Sequence, residues 1–478
     1  MSNTEIKEKC PHSKKCGGCQ LWNLSYEEQL KYKQAKVRRL LSCFHAVSPI
    51  IGMKEPFHYR NKVQAAFGRT RRGEIISGIY QSSTHKIVKT DSCFIENKKA
   101  DEIINTVRAL VKSFNLTVYD ENTKKGFLRH VLVKYGFNTG EIMVVLVTGT
   151  PIFPSKNAFL AELLKKHPDI TTVVQNINNK FTSMVLGERE TVLYGKGYIE
   201  DILCGCRFRI SAASFYQINP VQTEVLYSAA LKFADLKSTD AVIDAYCGIG
   251  TIGLCASKRA KTVVGCEINP DAVRDAKVNA RLNSAENAEF ICCDAGDFMA
   301  EMKDCGEKFD VVFLDPPRAG SDRKFLSSLV HASPERVVYI SCNPETQRRD
   351  LFFLTKNGYS VKKIQPVDMF PYTNHVETVV QLVRKKPDTY IDITVDMDER
   401  DLTSSEAKAT YDEIKDYIFD KHCVKVSSLY VAQVKQKHGI IERDCYNNSK
   451  KDNQKQPQCP PEKVTLIEEA LRHFKMIP

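Results

Sequence analysis

Past residue 206 the chain alternates short apolar runs with amphipathic stretches, so its hydrophobic period switches back and forth between strand and helix. Residues 241–246 are an apolar run leading into Cys247-Gly248-Ile249-Gly250-Thr251-Ile252-Gly253, after which a helix is expected. Residues 262–266 end in Glu267, 290–293 in Asp294, and 309–314 in Asp315-Pro316-Pro317-Arg318. Residues 337–340 run into Ser341-Cys342, and Asn343-Pro344 stops that strand. The pattern predicts an α/β, doubly wound sheet. Each chemically distinctive residue falls at the carboxyl end of a strand, where open parallel sheets bind ligands.

Residues 46–205 have a different texture. Runs at 63–67, 131–135, 142–147, 172–177 and 191–194 are strand-like, and turns at Arg72-Gly73, Asn138-Thr139-Gly140 and Gly195-Lys196-Gly197 separate them. With helical stretches near 97–113 and 157–166, this predicts an α+β region with a substantial antiparallel sheet. Ahead of it, Ser25 and Glu28 fit a capping box. The helix they open has Leu30, Val37, Leu40, Leu41 and Phe44 for an inner face, Cys43 in its core, and Lys31, Lys33, Lys36, Arg38 and Arg39 outside.

Residues 386–478 look appended. They show a strand-like 390–395, helices at 407–419 and 427–437 that suit a helix–turn–helix, and a polar loop over 447–461. A last amphipathic helix carries Val464, Ile467, Leu471 and Phe474. Four segments are therefore expected: 1–45, 46–205, 206–385 and 386–478.

Composition narrows the class. A chain of 478 residues exceeds one ordinary core. No apolar run reaches the roughly 20 residues of a bilayer span, and the polar first ten residues are no signal peptide, so a cytoplasmic protein is expected. The net charge of +11 leans towards a polyanion such as nucleic acid. Arg60, Lys62, Arg69, Arg71, Arg72, Arg129, His130 and Lys134, interleaved with Tyr59 and Phe67, suit an unpaired nucleic-acid strand, although a solvated sheet face would look the same. In the appended segment Lys425, Lys435, Lys437 and Arg443 are further RNA-contact candidates, against a small domain packed on the body.

With 17 cysteines and no signal peptide, metal ligation or catalysis is expected of some thiols rather than a disulfide framework. Cys10-x5-Cys16-Gly17-Gly18-Cys19 lets two thiolates face one centre, and Cys93 is the best fourth ligand. Four thiolates suit a 4Fe–4S cluster or structural zinc; a single Cys-x-x-Cys pair favours the cluster. Cys445 and Cys459 lack a ligand pattern.

The glycine turn alone fits a nicotinamide enzyme as well as a methyltransferase, with Glu267 placed to bind ribose hydroxyls. Asp315-Pro316-Pro317 resembles the acidic Pro-Pro turn of methyltransferases, which favours S-adenosylmethionine. A strand-end thiol adds a nucleophile that hydride transfer does not need. Glu377, before the apolar run 378–383, is a general-base candidate, and His375 a weaker one. A non-catalytic RNA-binding protein is a third reading, disfavoured by intact Cys342 and Glu377.

Phe215-Tyr216-Gln217-Ile218-Asn219, the 244–250 turn, Asp315–Arg318, Ser341–Pro344 and 370–377, taken in this order, resemble the RNA uracil-C5 (5-methyluridine) methyltransferase family. The cysteine cluster is similar to that of its iron–sulfur-containing bacterial 23S rRNA branch. Unlike many members of that branch, the chain starts directly at the cluster, without a small β-barrel, and it carries the extra tail. The resemblance implies a Rossmann-like methyltransferase domain, an α+β central RNA-binding domain, an N-terminal Fe–S motif and a small C-terminal extension. It also implies S-adenosylmethionine held by Gln217, Tyr246, Thr251, Glu267, Asp294 and Asp315, and a cluster on Cys10, Cys16, Cys19 and Cys93. Cys342 would add to C6 of a flipped uracil, Glu377 would act as base, and Gln217 or Arg318 would donate to O4. The expected partner is 23S rRNA, with tRNA as the alternative, and the expected state a monomer without membrane contact.

Overall fold

The computed structural model of the chain describes residues 10–385 (except 82, 83, 85, 183, 305 and 306), 411–438 (except 423 and 425) and 459–477 (except 475). These fall in two compact units, residues 1–388 and 389–478.

The first unit opens with α1 (Ser13–Cys16) and α2 (Tyr26–Leu41). The central part contains β1 (Lys62–Arg69), β2 (Ile75–Tyr80), β3 (Ile87–Lys89), α3 (Lys98–Ser113), β4 (Leu128–Tyr135), β5 (Ile142–Thr148), α4 (Lys156–Lys166), β6 (Ile170–Ile177) and β7 (Arg189–Tyr194). A hairpin follows, β8 (Ile199–Leu203) and β9 (Cys206–Ile210), then α5 (Pro220–Ala234). The alternating part runs β10 (Ala241–Ala245), α6 (Thr251–Ser257), β11 (Thr262–Glu267), α7 (Pro270–Leu282), β12 (Ala288–Cys292), α8 (Ala295–Asp304), β13 (Val311–Leu314), α9 (Arg323–Ala332), β14 (Arg336–Ser341) and α10 (Pro344–Lys356). It closes with β15 (Tyr359–Val367) and β16 (Glu377–Arg384).

The capping box forms: Ser25 accepts from the Glu28 N–H, and the Glu28 carboxylate accepts from the Ser25 N–H at 2.8 Å. The inner face of α2, however, is Gln29, Lys33, Val37 and Leu41. Lys33 is not on the solvated face. Its ammonium is fully enclosed and donates to Asp368 at 2.6 Å and to the Phe370 carbonyl at 2.9 Å. Cys43 lies just past the helix end and is exposed, not core.

The central sheet has the order β3-β2-β1-β4-β5-β6-β7. It is antiparallel except at β5–β6, a parallel pair joined through α4. Helices α3 and α4 contribute Ile103, Val107, Phe159 and Leu163 to the core on one face. Several basic and aromatic residues expected to meet nucleic acid are interior instead. Arg129 donates to the Asn178 and Lys180 carbonyls and lies 4.3 Å from the Tyr119 ring centre. Lys134 donates to the Ser211 and Ser214 carbonyls at 2.7 and 2.8 Å. His130, Tyr59 and Phe67 are buried as well. Arg69, Arg71 and Arg72 remain exposed.

The second sheet has the order β12-β11-β10-β13-β14-β16-β15. Strands β10 to β14 run parallel, and β16 inserts antiparallel between β14 and β15. Strands β13 and β14 at its centre are buried along their whole length and mostly apolar, because helices cover both faces. One core cluster joins Leu132 and Val145 of the central sheet, Leu203 and Phe208 of the hairpin, and Val242, Phe313 and Val338 of this sheet. Residues 205 and 206, where a domain division was expected, sit at the turn of that hairpin.

The C-terminal unit contains α11 (Tyr411–His422), α12 (Ser428–Lys437) and α13 (Pro461–His473), around Ile414, Ile418, Val431, Val434, Ile467 and Leu471. Lys435 is buried there and Lys437 pairs with Glu468, so neither offers a free cation to RNA. The expected strand at 390–395, most of the 447–461 loop, Lys425, Arg443 and Cys445 lie outside the described residues. No helix among the described residues is long and apolar enough to cross a membrane.

Candidate active site

Register brings the two principal groups together. Ser341 of β14 pairs with Thr378 of β16, so Cys342 and Glu377 are the next residues of neighbouring strands at one edge of the sheet. Asp315 ends β13 beside them, and its loop carries Arg318. Asn343 fixes this arrangement. It caps α10 through the Glu345 N–H and donates its side-chain amide to the Arg318 carbonyl at 3.1 Å. Thr346 donates to the same carbonyl at 3.2 Å.

The electrostatics follow from burial. The half-buried Cys342 thiol is pushed up to about 11, first by desolvation and then by the Glu377 and Asp315 carboxylates, while Arg318 pulls the other way. Glu377 is buried, and desolvation together with Asp315 holds it well above the usual carboxylate range. Asp315 keeps part of its surface open, yet packed protein around it raises its carboxyl to about 7 through desolvation. Desolvation of His375, with Arg318, Lys33 and Lys36 nearby, pushes its imidazole down.

The glycine turn lies at the same edge. Gly248 and Gly250 adopt left-handed φ of 55° and 81°. A Cβ on Gly250 would sit 2.7 Å from the Phe290 ring, whereas nothing lies within 4 Å of the corresponding point on Gly248. Backbone is thus open to a ligand at Gly248. Glu267 accepts from the Gly248 N–H at 3.1 Å and from the Asn269 N–H at 2.9 Å, orienting its carboxylate at the turn. Thr251 and the buried Tyr227 hydroxyl are 3.0 Å apart. Tyr246 packs on Phe325, and Asp294 caps α8 by accepting from the Gly296 and Asp297 N–H groups. Asp244, which opens the 244–250 turn but is assigned no role of its own from the sequence, is held up at about 7 by burial while accepting from the Gly253 N–H at 2.7 Å.

The segment before α5 joins the site through backbone. Asn61 donates to the Gln217 carbonyl at 3.2 Å, and Asn219 to the Met369 carbonyl at 2.9 Å. Met369 belongs to the loop that delivers Glu377. That loop is also gripped from the N-terminal segment: the Leu21 N–H donates to the Tyr372 carbonyl, Gln29 accepts from the Tyr372 N–H, and Tyr26 donates to Asp368. No local pattern in the chain signals this grip, because its partners lie more than 300 residues apart.

Cys19 and Cys93 pack against Tyr59, Met53 and Tyr372. Burial, with Cys16 and Cys10 close by, raises the Cys19 thiol to about 12, and Cys93 feels Cys19 as well as Glu96. The four thiols therefore share one neighbourhood. Among the described residues, no three Cys, His, Asp or Glu side chains are drawn around a common metal-ion centre.

A doubly wound sheet with a glycine turn, strand-end carboxylates and a facing thiol defines the class as an α/β methyltransferase. The tRNA (uracil-5-)-methyltransferase family matches residues 25–385. An uncharacterised RNA methyltransferase of Halalkalibacterium halodurans is 45% identical over 389 residues, 80% of this chain and 85% of its own length. One from Clostridium acetobutylicum is 45% identical over 382 residues, 78% and 83% of the two chains. The crystal structure of Pyrococcus abyssi tRNA (uracil-54, C5)-methyltransferase, in complex with S-adenosyl-L-homocysteine, superposes with a TM-score of 0.65 at 30% identity, covering 77% of this chain and 86% of that one. The chain is an RNA methyltransferase and belongs to the tRNA (uracil-5-)-methyltransferase family.

Proposed function

We propose that the protein methylates C5 of a uridine in 23S rRNA through a covalent bond between Cys342 and C6 of the base. The observation that carries this reading is the placement of Cys342 beside Glu377 at the ends of paired strands, with Asp315 and Arg318 next to them. The open backbone at Gly248 and the carboxylates of Glu267, Asp294 and Asp315, with Gln217, Tyr246 and Thr251, fit S-adenosylmethionine, which supplies an electrophilic methyl group.

Uracil C5 is too weak a nucleophile to take a methyl unaided. Cys342 sulfur bonds to C6, and the C5=C6 electron pair moves towards O4, leaving C5 carbanion-like. Gln217 or Arg318 donates a hydrogen bond to O4 and stabilises that charge. Once C5 carries the methyl, Glu377 takes the C5 proton; its raised affinity for protons suits the task. The electron pair left on C5 re-forms C5=C6 and expels the Cys342 thiolate. The base must leave its stack to reach the thiol, so a flipped uridine is required. Exposed Arg69, Arg71 and Arg72 contact the RNA backbone in this reading, and the protein acts as a monomer.

Cys10, Cys16, Cys19 and Cys93 fit a 4Fe–4S cluster, on their shared neighbourhood and all-thiolate chemistry. Its role here is structural: the segment it would order grips the loop before Glu377. Anaerobic purification should give about four irons and four sulfides per chain; one zinc and no sulfide would replace the cluster with zinc.

The decisive experiment incubates 5-fluorouridine-substituted 23S rRNA with protein and S-adenosylmethionine. Fluorine does not leave as a proton, so a denaturation-resistant adduct should persist. Its absence with the native protein, or its persistence in Cys342→Ala, overturns the mechanism. A second reading, tRNA as substrate, is favoured by the Pyrococcus relative. Mapping 5-methyluridine in both RNAs of a deletion strain separates the two.

A further inference from the structure

Three thiols that play no part in methyl transfer meet behind the glycine turn. Cys204 and Cys206 flank Gly205 in the turn of the β8–β9 hairpin, and Cys255 lies one helical turn beyond Thr251 in α6. Cys206 and Cys255 belong to one core cluster against which Cys204 packs, and the Cys255 thiol interacts with both of the others. The arrangement is fastened on several sides. Lys258, just past α6, donates to the Gly205 carbonyl at 2.9 Å and lies 3.4 Å from that of Cys204. The Cys206 thiol points at the Leu254 carbonyl, 3.7 Å away, and the Cys204 N–H donates to Glu224 at 3.1 Å. Cys204 has a φ of 50° and Gly205 of 69°, the pairing of a type I′ turn, where asparagine would be at home and cysteine is not. Cys206 and Cys255 are buried; Cys204 is the partly exposed member, so it is the thiol that a small oxidant reaches. Cys255 donating and Lys258 nearby favour thiolates: Cys204 is held below the ordinary thiol value, and Cys206 at about 6.

We propose that Cys204, Cys206 and Cys255 are a reversible oxidation site, at which a hydroperoxide oxidises Cys204 and a Cys204–Cys255 disulfide then ties the hairpin to the helix that carries the glycine turn. The Cys204 thiolate attacks the terminal peroxide oxygen; an S–O bond forms, the O–O bond breaks, and the departing oxygen takes a proton to leave as alcohol or water. Cys255 sulfur then attacks Cys204 sulfur; the S–S bond forms, the S–O bond breaks, and hydroxide leaves with the Cys255 proton as water. Two thiols have given up two electrons and one peroxide has been reduced. Cys206 and Lys258 keep the turn seated while this happens. Because Cys255 and Thr251 share one face of a seven-residue helix, the new bond pulls on the cofactor edge of the sheet.

The test uses the full chain carrying Cys342→Ala, which removes the catalytic thiol from the oxidation chemistry. After brief hydrogen peroxide treatment, alkylation and digestion without reductant, a peptide pair linking residues 204 and 255 should appear, about 2 Da below the sum of its parts, and should vanish with dithiothreitol. In the additional Cys255→Ala variant the link should be absent and dimedone should trap a sulfenic acid on Cys204. Mapping by peptide keeps this distinct from oxidation at Cys10, Cys16, Cys19 and Cys93. No link, or a 206–255 link with Cys204 still free, overturns the site. The second readout rests on the S-adenosylmethionine reading: oxidation should weaken its binding at least about threefold, reversibly. Unchanged affinity overturns the coupling, whereas no binding even by the reduced protein counts against the cofactor reading and leaves the peptide map to decide the site.

Discussion

In the RNA-free enzyme, Cys342 should react with iodoacetamide about tenfold more slowly at pH 8 than an ordinary thiol. Burial, then Glu377 and Asp315, set its midpoint near 11 against an ordinary 9.0. At pH 8 that leaves roughly one molecule in a thousand as thiolate, rather than about one in ten, a hundredfold deficit. A more basic thiolate is also the better nucleophile; with a Brønsted slope of about 0.4–0.5, two units return roughly sixfold to tenfold, so the net slowing is about tenfold. The rate should climb about tenfold per pH unit through pH 10, without the plateau an ordinary thiol shows. At the pH where the thiol titrates, Glu377 is ionised and repels the thiolate. Glu377→Gln should therefore move the midpoint down and speed alkylation, while turnover stalls after methyl transfer with the methylated RNA still bound to Cys342. Peptide-resolved alkylation across pH 7–11 reads this out. A plateau near pH 9 in the native protein, or slower alkylation in Glu377→Gln, refutes the electrostatic account.

Lys33→Met leaves the Asp368 carboxylate buried with the Tyr26 hydroxyl as its remaining side-chain partner among the described residues, and should cost about 3–5 kcal/mol in denaturant unfolding. Gly250→Ala adds a Cβ against Phe290 at a left-handed φ, and should weaken S-adenosylmethionine binding in calorimetry and lower stability by about 1–3 kcal/mol. Ser25→Ala removes the capping box and should cost about 1 kcal/mol in the same unfolding assay, with cofactor affinity unchanged.

Local chemistry was legible in the sequence where the chain encodes it locally. Cys342, Asp315 and Glu267 each follow an apolar run, so their place at strand ends could be read residue by residue. The capping box of α2 is equally local and forms as read. Burial of single polar residues was not legible. Lys33 differs from Lys31 and Lys36 only in meeting Asp368, 335 positions away, and no period along α2 marks it. Arg129, His130 and Lys134 share β4 with apolar residues, but β4 lies mid-sheet: Arg129 and Lys134 turn to interior carbonyls, and His130 is buried edge-on to the Tyr80 ring. The parallel β5–β6 pair was missed because α4 looks the same whether it crosses over or returns. The antiparallel insertion of β16, which sets Glu377 opposite Cys342, is a property of topology that an apolar run at 378–383 does not reveal.

The site gathers negative charge that it is not equipped to hold alone. Asp244 and Asp315 are both raised to about 7, Glu377 is held well above the usual carboxylate range, and Arg318 opposes the rise of both Cys342 and Glu377. Desolvation raises all three, and Asp315 adds to the rise of Asp244 and Glu377, so ionising them is costly while the cleft is empty. A positive charge brought to this edge of the sheet would lower all of these groups at once, and the Cys342 thiol with them. The same field that disarms the thiol in the free enzyme thus favours a sulfonium ligand, and the thiol gains reactivity when the cleft is filled. Ordered binding follows, cofactor before RNA. It is checked by repeating the Cys342 alkylation with S-adenosylmethionine and with neutral S-adenosylhomocysteine: the cation should speed the reaction and the neutral analogue should not, and equal rates with both would show that the charge of the ligand plays no part.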